Sequence, residues 1–310
     1  MIHANLVHLS YNMWRDTEAP PDAPVSERDL YYSGRLRCDH DVWRECIRQM
    51  AAAGLNMVVI DLGDGVEYRS HPEIAVGGAW SRETLREELA VCRDLGLEPV
   101  PKLNFSACHD AWLGEYSRKL STPEYYRVCG DLVREVCELF DGPRLFHLGM
   151  DEETPQHQAG LLYAVLRQGT LWWHDLRFLV EQVESQGAAA WVWSDVIWGC
   201  DLSTFAANMP RSVVQSNWYY APDFPADDPP SSLRAFDWLH QLGYRQIPTG
   251  STWTSEANYP RLVQYCSHRM AGPDLLGFLM ADWRPTTAAW SQAHIGAIEV
   301  ARSAFGAPAT

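Results

Sequence analysis

Short apolar runs alternate with amphipathic stretches along the whole chain. The runs Ala4–Leu9, Met57–Asp61, Glu98–Leu103, Leu145–Gly149, Ala190–Ser194, Ser212–Ser216, Gln246–Thr249 and Gly277–Ala281 have the length and continuity of parallel strands buried on both faces. Between them, apolar residues recur at helical spacing over Asp41–Ala53, Arg82–Leu95, Thr122–Phe140, Leu171–Ser185, Ser232–Leu242, Glu256–Met270 and Thr287–Ala304. Ser81 and the Thr122-Pro123 pair read as helix starts, and Gly54, Gly96, Gly187, Gly243 and Gly272 as stops. Eight strands alternating with helices predict an α/β fold, a single (β/α)8 TIM barrel. With 310 residues the chain suits one such domain over 1–310, about 250 residues plus long loops, without an auxiliary domain. The Pro- and Asp-rich stretches Ala19–Pro24 and Ala221–Pro230 are expected as loops at the catalytic face.

Composition narrows the partners. A net charge of −15 argues against nucleic acid and anionic membranes, which need clustered Lys and Arg. Fourteen Trp residues supply flat apolar faces of the kind that stack on sugar C–H surfaces, although about half are expected in the core. The eight cysteines lack a CxxC pair and read as buried free thiols, and no cofactor or metal is expected. No signal peptide or membrane-length apolar run is visible, which predicts a cytoplasmic protein. Oligomeric state is not legible.

In a barrel, chemistry sits where strands end. The residues just past the expected strands are Asn12, Trp14 and Arg15, then Asp61 and Asp64, then Asn104 and His109-Asp110. The fourth strand delivers His147, Asp151, Glu152 and Glu153, and the fifth Trp193 and Asp195. Asn217, Trp218, Tyr219 and Tyr220 follow the sixth, Trp253 the seventh, and Asp282-Trp283-Arg284 the eighth. Acids and aromatics gathered at one end fit a carbohydrate site. Adjacent carboxylates at Asp151 and Glu152 can split their protonation states, one ionised and the other raised toward a general acid. The bland alternative is an acidic loop in which Asp151 caps a helix.

These residues resemble the glycoside hydrolases of family 20, the β-N-acetylhexosaminidases. That family's strand ends His-x-Gly-Gly-Asp-Glu, and this chain has His147-Leu148-Gly149-Met150-Asp151-Glu152. Ala53–Met57 leading to Asp61 and Asp64, His71–Ile74, Gly96–Pro101, Trp193-Ser194-Asp195, Ser216–Tyr219 and Trp283 resemble further family segments in matching order. Three positions depart from the pattern. Met150 replaces the second glycine, Lys102 stands where a glutamate is usual, and Ala107-Cys108-His109 replaces Pro-Gly-His.

The resemblance implies substrate-assisted, retaining exo-hydrolysis of a terminal 2-acetamido sugar. In that scheme Glu152 is the general acid and Asp151 orients the acetamido group. Tyr219, preferred to Tyr220, bonds its carbonyl, Trp193 and Trp283 wall it, and Arg15 and Asp282 hold sugar hydroxyls, the alternative for Arg15 being a pair with a loop acid. Asp64, Asn104, His109, His147, Asp195, Trp218 and Trp253 complete the expected substrate-binding set, with His147 more a support of the strand end. Trp191 and Trp193 are expected to part, one facing the barrel interior and the other the helices, with Trp193 in the pocket. The alternatives are a glycosidase of different sugar specificity and a non-catalytic sugar-binding barrel.

Overall fold

The computed structural model describes residues 1–270 and 272–306. Eight parallel strands form one sheet: β1 Ile2–His8, β2 Met57–Asp61, β3 Glu98–Lys102, β4 Leu145–His147, β5 Ala189–Trp193, β6 Val214–Ser216, β7 Thr249–Gly250 and β8 Gly277–Ala281. The order is β6-β5-β4-β3-β2-β1-β8-β7. Parallel bridges Gln215↔Gln246 and Trp218↔Thr249 join its two ends, so the sheet closes into a (β/α)8 barrel.

Two apolar clusters follow from strand alternation. Leu6, Val59, Val100, Leu145, Trp191, Val214 and Leu279 fill the barrel interior. Val7, Val58, Phe146, Val192 and Phe278 face outward and pack on the helices. Those helices are α1 His40–Ala52, α2 Arg82–Asp94, α3 Pro123–Leu139, α4 Thr170–Ser185, α5 Val196–Gly199, α6 Leu202–Asn208, α7 Ser231–Gln241, α8 Asn258–Arg269 and α9 Ser291–Gly306. Ser81 and Thr122 cap α2 and α3, accepting from the amides of Thr84 and Tyr125.

Four sequence expectations change. β4 ends at His147, two residues early, because Gly149 and Met150 turn left-handed at φ 72° each. β7 is the pair Thr249–Gly250, since Pro248 has no N–H to continue a ladder from Gln246. Two short helices, α5 and α6, occupy a region where the sequence pattern shows none, with Asp201 accepting from the Thr204 amide to start α6. Trp191 and Trp193 do not part: they are two residues apart, so both project into the barrel interior.

Candidate active site

The carboxyl ends of the strands surround a cavity of about 320 Å³. Asp151, Glu152 and His157 supply its polar edge, while Tyr11, Trp14, Leu30, Trp193, Trp218, Tyr220, Trp253 and Trp283 supply the rest. Alternation along the strands selects these rings. Trp218 and Tyr220 lie two apart and share the inward side, as do Ala281 and Trp283. The rings meet at steep angles, Trp193 to Trp218 at 5.8 Å between centroids and Trp193 to Trp283 at 5.9 Å. Trp283 donates its indole N–H to the Tyr220 hydroxyl at 3.1 Å, which leaves that hydroxyl's own proton available to a ligand.

The acidic pair is held by an unusual backbone. Gly149, Met150 and Glu152 all have positive φ, at 72°, 72° and 55°. For the two non-glycine residues this conformation is costly, and such strain concentrates at functional sites. Gly149 also has no room for a side chain, because a Cβ there would lie 1.8 Å from Asn104 Oδ1. Asn104 in turn accepts from the Met150 and Ser106 amides and donates to Asp151 Oδ1 at 2.9 Å. Ser106 Oγ donates to the Asp151 carbonyl, and the Glu152 amide donates to Asp195 Oδ2 at 2.8 Å. Behind the turn, the fully buried Arg167 binds Glu153 and donates to the Phe105 carbonyl at 2.6 Å. The turn is therefore pinned from both sides.

His109 joins the two acids. Its Nε2 lies 3.1 Å from Glu152 Oε2 and 3.5 Å from Asp151 Oδ2, and His157 Nε2 lies 3.5 Å from Glu152 Oε2. Burial opposes charge on His109, but the Asp151 and Glu152 carboxylates outweigh it and raise its pKa to about 9. Burial pushes Asp151 up, only partly countered by His109. Burial also pushes on Glu152, yet the His109 hydrogen bond and charge bring it below the ordinary value. The two shifts, Asp151 up and Glu152 down, run in the opposite sense to a pair in which Glu152 carries the proton. Asp195 is raised well above its ordinary value by burial and by the Asp151 charge. His109, Asp151 and Glu152 each offer a ligand atom within 4.8 Å of the others, so a metal ion has a geometric opening here. Hydrogen bonding among the same atoms already accounts for their arrangement.

The remaining expected site residues divide into supports and absentees. Asn104 and His109 position the acids rather than line the cavity. His147 lies in the barrel interior, accepts from the Gly149 amide at 3.0 Å, and is kept neutral by burial and by nearby Lys102. Asp195 braces Glu152 and makes no side-chain cap bond to α5. Tyr219 faces away, its hydroxyl on the Asp223 carbonyl at 2.8 Å and its ring against Phe224, and Tyr220 occupies the cavity instead. Arg15 turns onto Glu27 at 3.2 Å and stacks on Tyr31. Asp64 is bound by Ser10 and Asn12 at 2.5 and 2.7 Å, and burial raises it to about 6. Asp282 alternates away from Trp283 and lies 3.4 Å from His294 Nδ1. Nothing in the sequence points to Tyr11, Leu30 or His157 at the site, and Trp14 and Tyr220, though found at strand ends, are left out of the expected substrate-binding set. Period two along β6 could have found Tyr220, but Leu30 and His157 arrive on long loops with no sequence signal.

No protein-family profile and no curated protein matches the chain. Solved structures do. A β-N-acetylhexosaminidase from Bacteroides fragilis aligns over 99% of this chain and 66% of its own, at 16% identity and TM-score 0.67. An exo β-N-acetylglucosaminidase of family 20 from Vibrio harveyi, in complex with N-acetylglucosamine, aligns over 97% and 54%, at 14% identity and TM-score 0.63. The fold is that of the family 20 glycoside hydrolases. Dispersin B, at 14% identity and TM-score 0.60, aligns over 87% of this chain and 94% of its own. The chain spans less than two thirds of the first two structures. The segment His147–Glu152 that resembles the family 20 signature lies at the carboxyl end of β4, on the cavity.

Proposed function

We propose that the chain is a family 20 glycoside hydrolase that removes a terminal 2-acetamido sugar with retention, the substrate's own acetamido oxygen attacking the anomeric carbon. The observation that carries this reading is the placement of Asp151 and Glu152 side by side in an aromatic cavity at the carboxyl face of a family 20 barrel. Asp151, fixed by Asn104, would accept from the acetamido N–H and stabilise the positive charge that develops as the oxazolinium ring closes. Tyr220, with its hydroxyl proton unused, would donate to the acetamido carbonyl, the role the sequence resemblance gives to Tyr219. Trp193, Trp218 and Trp283 would enclose the methyl group.

Glu152 would protonate the departing oxygen. His109, raised to about 9 by the two carboxylates, hydrogen-bonds Glu152 Oε2 at 3.1 Å and would store the proton that Glu152 delivers. A bound sugar changes the balance in the required direction. An acetamido N–H would hold Asp151 ionised for the substrate, while exclusion of water from Glu152, 27% exposed, disfavours the separated charges of the His109–Glu152 pair. The proton then moves to Glu152 Oε2. Afterwards Glu152 would act as base toward the water that opens the oxazolinium.

The test is turnover of 4-nitrophenyl and alkyl 2-acetamido-β-glycosides by wild type and Glu152→Gln. The variant is expected to stay folded and to lose about 10²- to 10⁴-fold on the alkyl leaving group, with a smaller loss on nitrophenyl. Equal losses on both leaving groups would remove Glu152 from the role of acid.

A further inference from the structure

A second cavity adjoins the first. It has a volume of about 690 Å³ and lies where the loop after β4 meets the amino end of α4 and the short helices α5 and α6. Glu152 and His157 stand on the walls of both cavities. The reaction proposed above occupies the first cavity and gives the second no role.

The wall of the second cavity repeats the character of the first. Trp172, Trp173 and Trp198 supply apolar surface, with Gln168, Asp195 and Asp201 among them. Indole beside carboxylate and amide groups suits a ring that carries both C–H faces and hydroxyls. Arg167, the guanidinium on this wall, is fully buried and engaged by Glu153 and the Phe105 carbonyl. His157 is 42% exposed, is held through Nδ1 by Thr154 Oγ1 at 2.8 Å, and sets Nε2 3.5 Å from Glu152 Oε2. It therefore stands at the border of the two spaces, beside the proposed acid.

Position decides what the second cavity can hold. A leaving oxygen that takes a proton from Glu152 must lie within hydrogen-bond reach of its carboxyl group. The part of the substrate beyond that oxygen then begins at the border that Glu152 and His157 share. We propose that the second cavity receives the leaving part of the substrate, and that this part is a saccharide at least two rings long. This rests on the proposed glycosidase function and names its substrate class. The first cavity, about 320 Å³, takes one sugar under that function, and the second has about twice its volume. One ring leaves much of this space to water, whereas two rings reach more of the indole wall. Contacts made so far from the reacting bond raise the rate of a bound substrate when they hold the leaving oxygen against Glu152.

The experiment compares kcat/KM for the β-linked disaccharide and trisaccharide of 2-acetamido-2-deoxyglucose and for its 4-nitrophenyl and octyl β-glycosides, in wild type and two variants. The trisaccharide, with two rings beyond the scissile bond, is expected to exceed the disaccharide by about 10-fold in wild type. Gly199→Trp and Thr204→Trp each set an indole into the second cavity. A Cβ at Gly199 meets nothing within 4 Å, and Thr204 is exposed on α6. Both variants should abolish the trisaccharide gain and keep nitrophenyl turnover within about 2-fold of wild type. A trisaccharide no better than the disaccharide, or a gain that survives both variants, overturns the proposal, while turnover of the nitrophenyl glycoside keeps the glycosidase reading. An octyl glycoside that equals the trisaccharide also overturns it, because the space then serves an alkyl chain. If nothing is cleaved, calorimetric titration decides. Absence of binding by the monosaccharide thiazoline removes the glycosidase reading and this proposal with it. With the thiazoline bound, free disaccharide that binds wild type and neither variant supports the proposal, and any other result overturns it.

Discussion

Two acid–histidine clusters lie one layer apart in this barrel and behave oppositely. In the lower one, His8, Asp61, Lys102 and His147 stand side by side in register on β1 to β4. Lys102 Nζ lies 2.5 Å from Asp61 Oδ2, and His8 Nδ1 lies 3.2 Å away. Lys102 is fully buried and Asp61 nearly so. In the upper one, His109 faces two carboxylates that border a cavity. The lower cluster balances acid against base and is sealed. The upper cluster sets two carboxylates against His109, with His157 reaching Glu152 alone, and is open. The difference teaches that a buried charge becomes chemically useful when it is left under-compensated next to space for a ligand.

The pH dependence separates the two. Burial works against charge on Asp61, but Lys102 and His8 hold its pKa down near 2 from an ordinary 3.8. A depressed carboxylate adds stability above its unfolded pKa and loses it as the pH falls through the folded value, here between about 3.8 and 2. His109 is raised from 6.5 to about 9, so its contribution is complete below 6.5 and is lost as the pH rises toward 9. Thermal unfolding against pH should show an acid limb abolished by Asp61→Asn and an alkaline limb abolished by His109→Asn.

The largest single effect should come from breaking the sealed cluster. Lys102→Met leaves the Asp61 charge buried without its cation and should cost about 3–5 kcal/mol in chemical denaturation. The double change Lys102→Met with Asp61→Leu should recover most of that loss; failure to recover would mean the pair is not the cause. Next is Gly149→Ala, whose Cβ collides with Asn104 and whose φ of 72° disfavours any side chain. It should cost about 1–3 kcal/mol and lower kcat by freeing Asp151, measured by denaturation and by turnover. His109→Asn should move the alkaline limb of kcat/KM downward by at least about one pH unit, because Glu152 then holds the proton without its partner. An unmoved limb would place the essential proton elsewhere. The smallest effect is expected at Met150→Gly, where relief of a left-handed methionine is offset by lost packing near Arg167, a net change of roughly 1 kcal/mol or less.

Much of this was legible from residues alone. The eight strands follow from apolar runs, and the site's position follows from the barrel rule that polar residues past strand ends are functional. Asp151, Glu152, Trp193, Trp218, Trp253 and Trp283 all line the cavity as strand-end positions. What the pattern did not carry was conformation within loops. The left-handed conformations of Met150 and Glu152 have no composition signature, and the turn at Gly149 and Met150 ends β4 early. Arg15 and Asp282 are the right residue types at the right chain positions, but loop packing on Glu27 and strand alternation toward His294 take them out of the cavity. Tyr219 and Tyr220 differ only in parity along the chain, and parity decided between them.

The central claim is that the open cluster binds a 2-acetamido sugar through Asp151. Calorimetric titration of folded wild type and Asp151→Asn with the thiazoline mimic of the oxazolinium tests it most directly. Binding by wild type, weakened about 10-fold or more in Asp151→Asn, is the expected result. Absence of binding by wild type, or affinity indifferent to Asp151→Asn, would contradict the account.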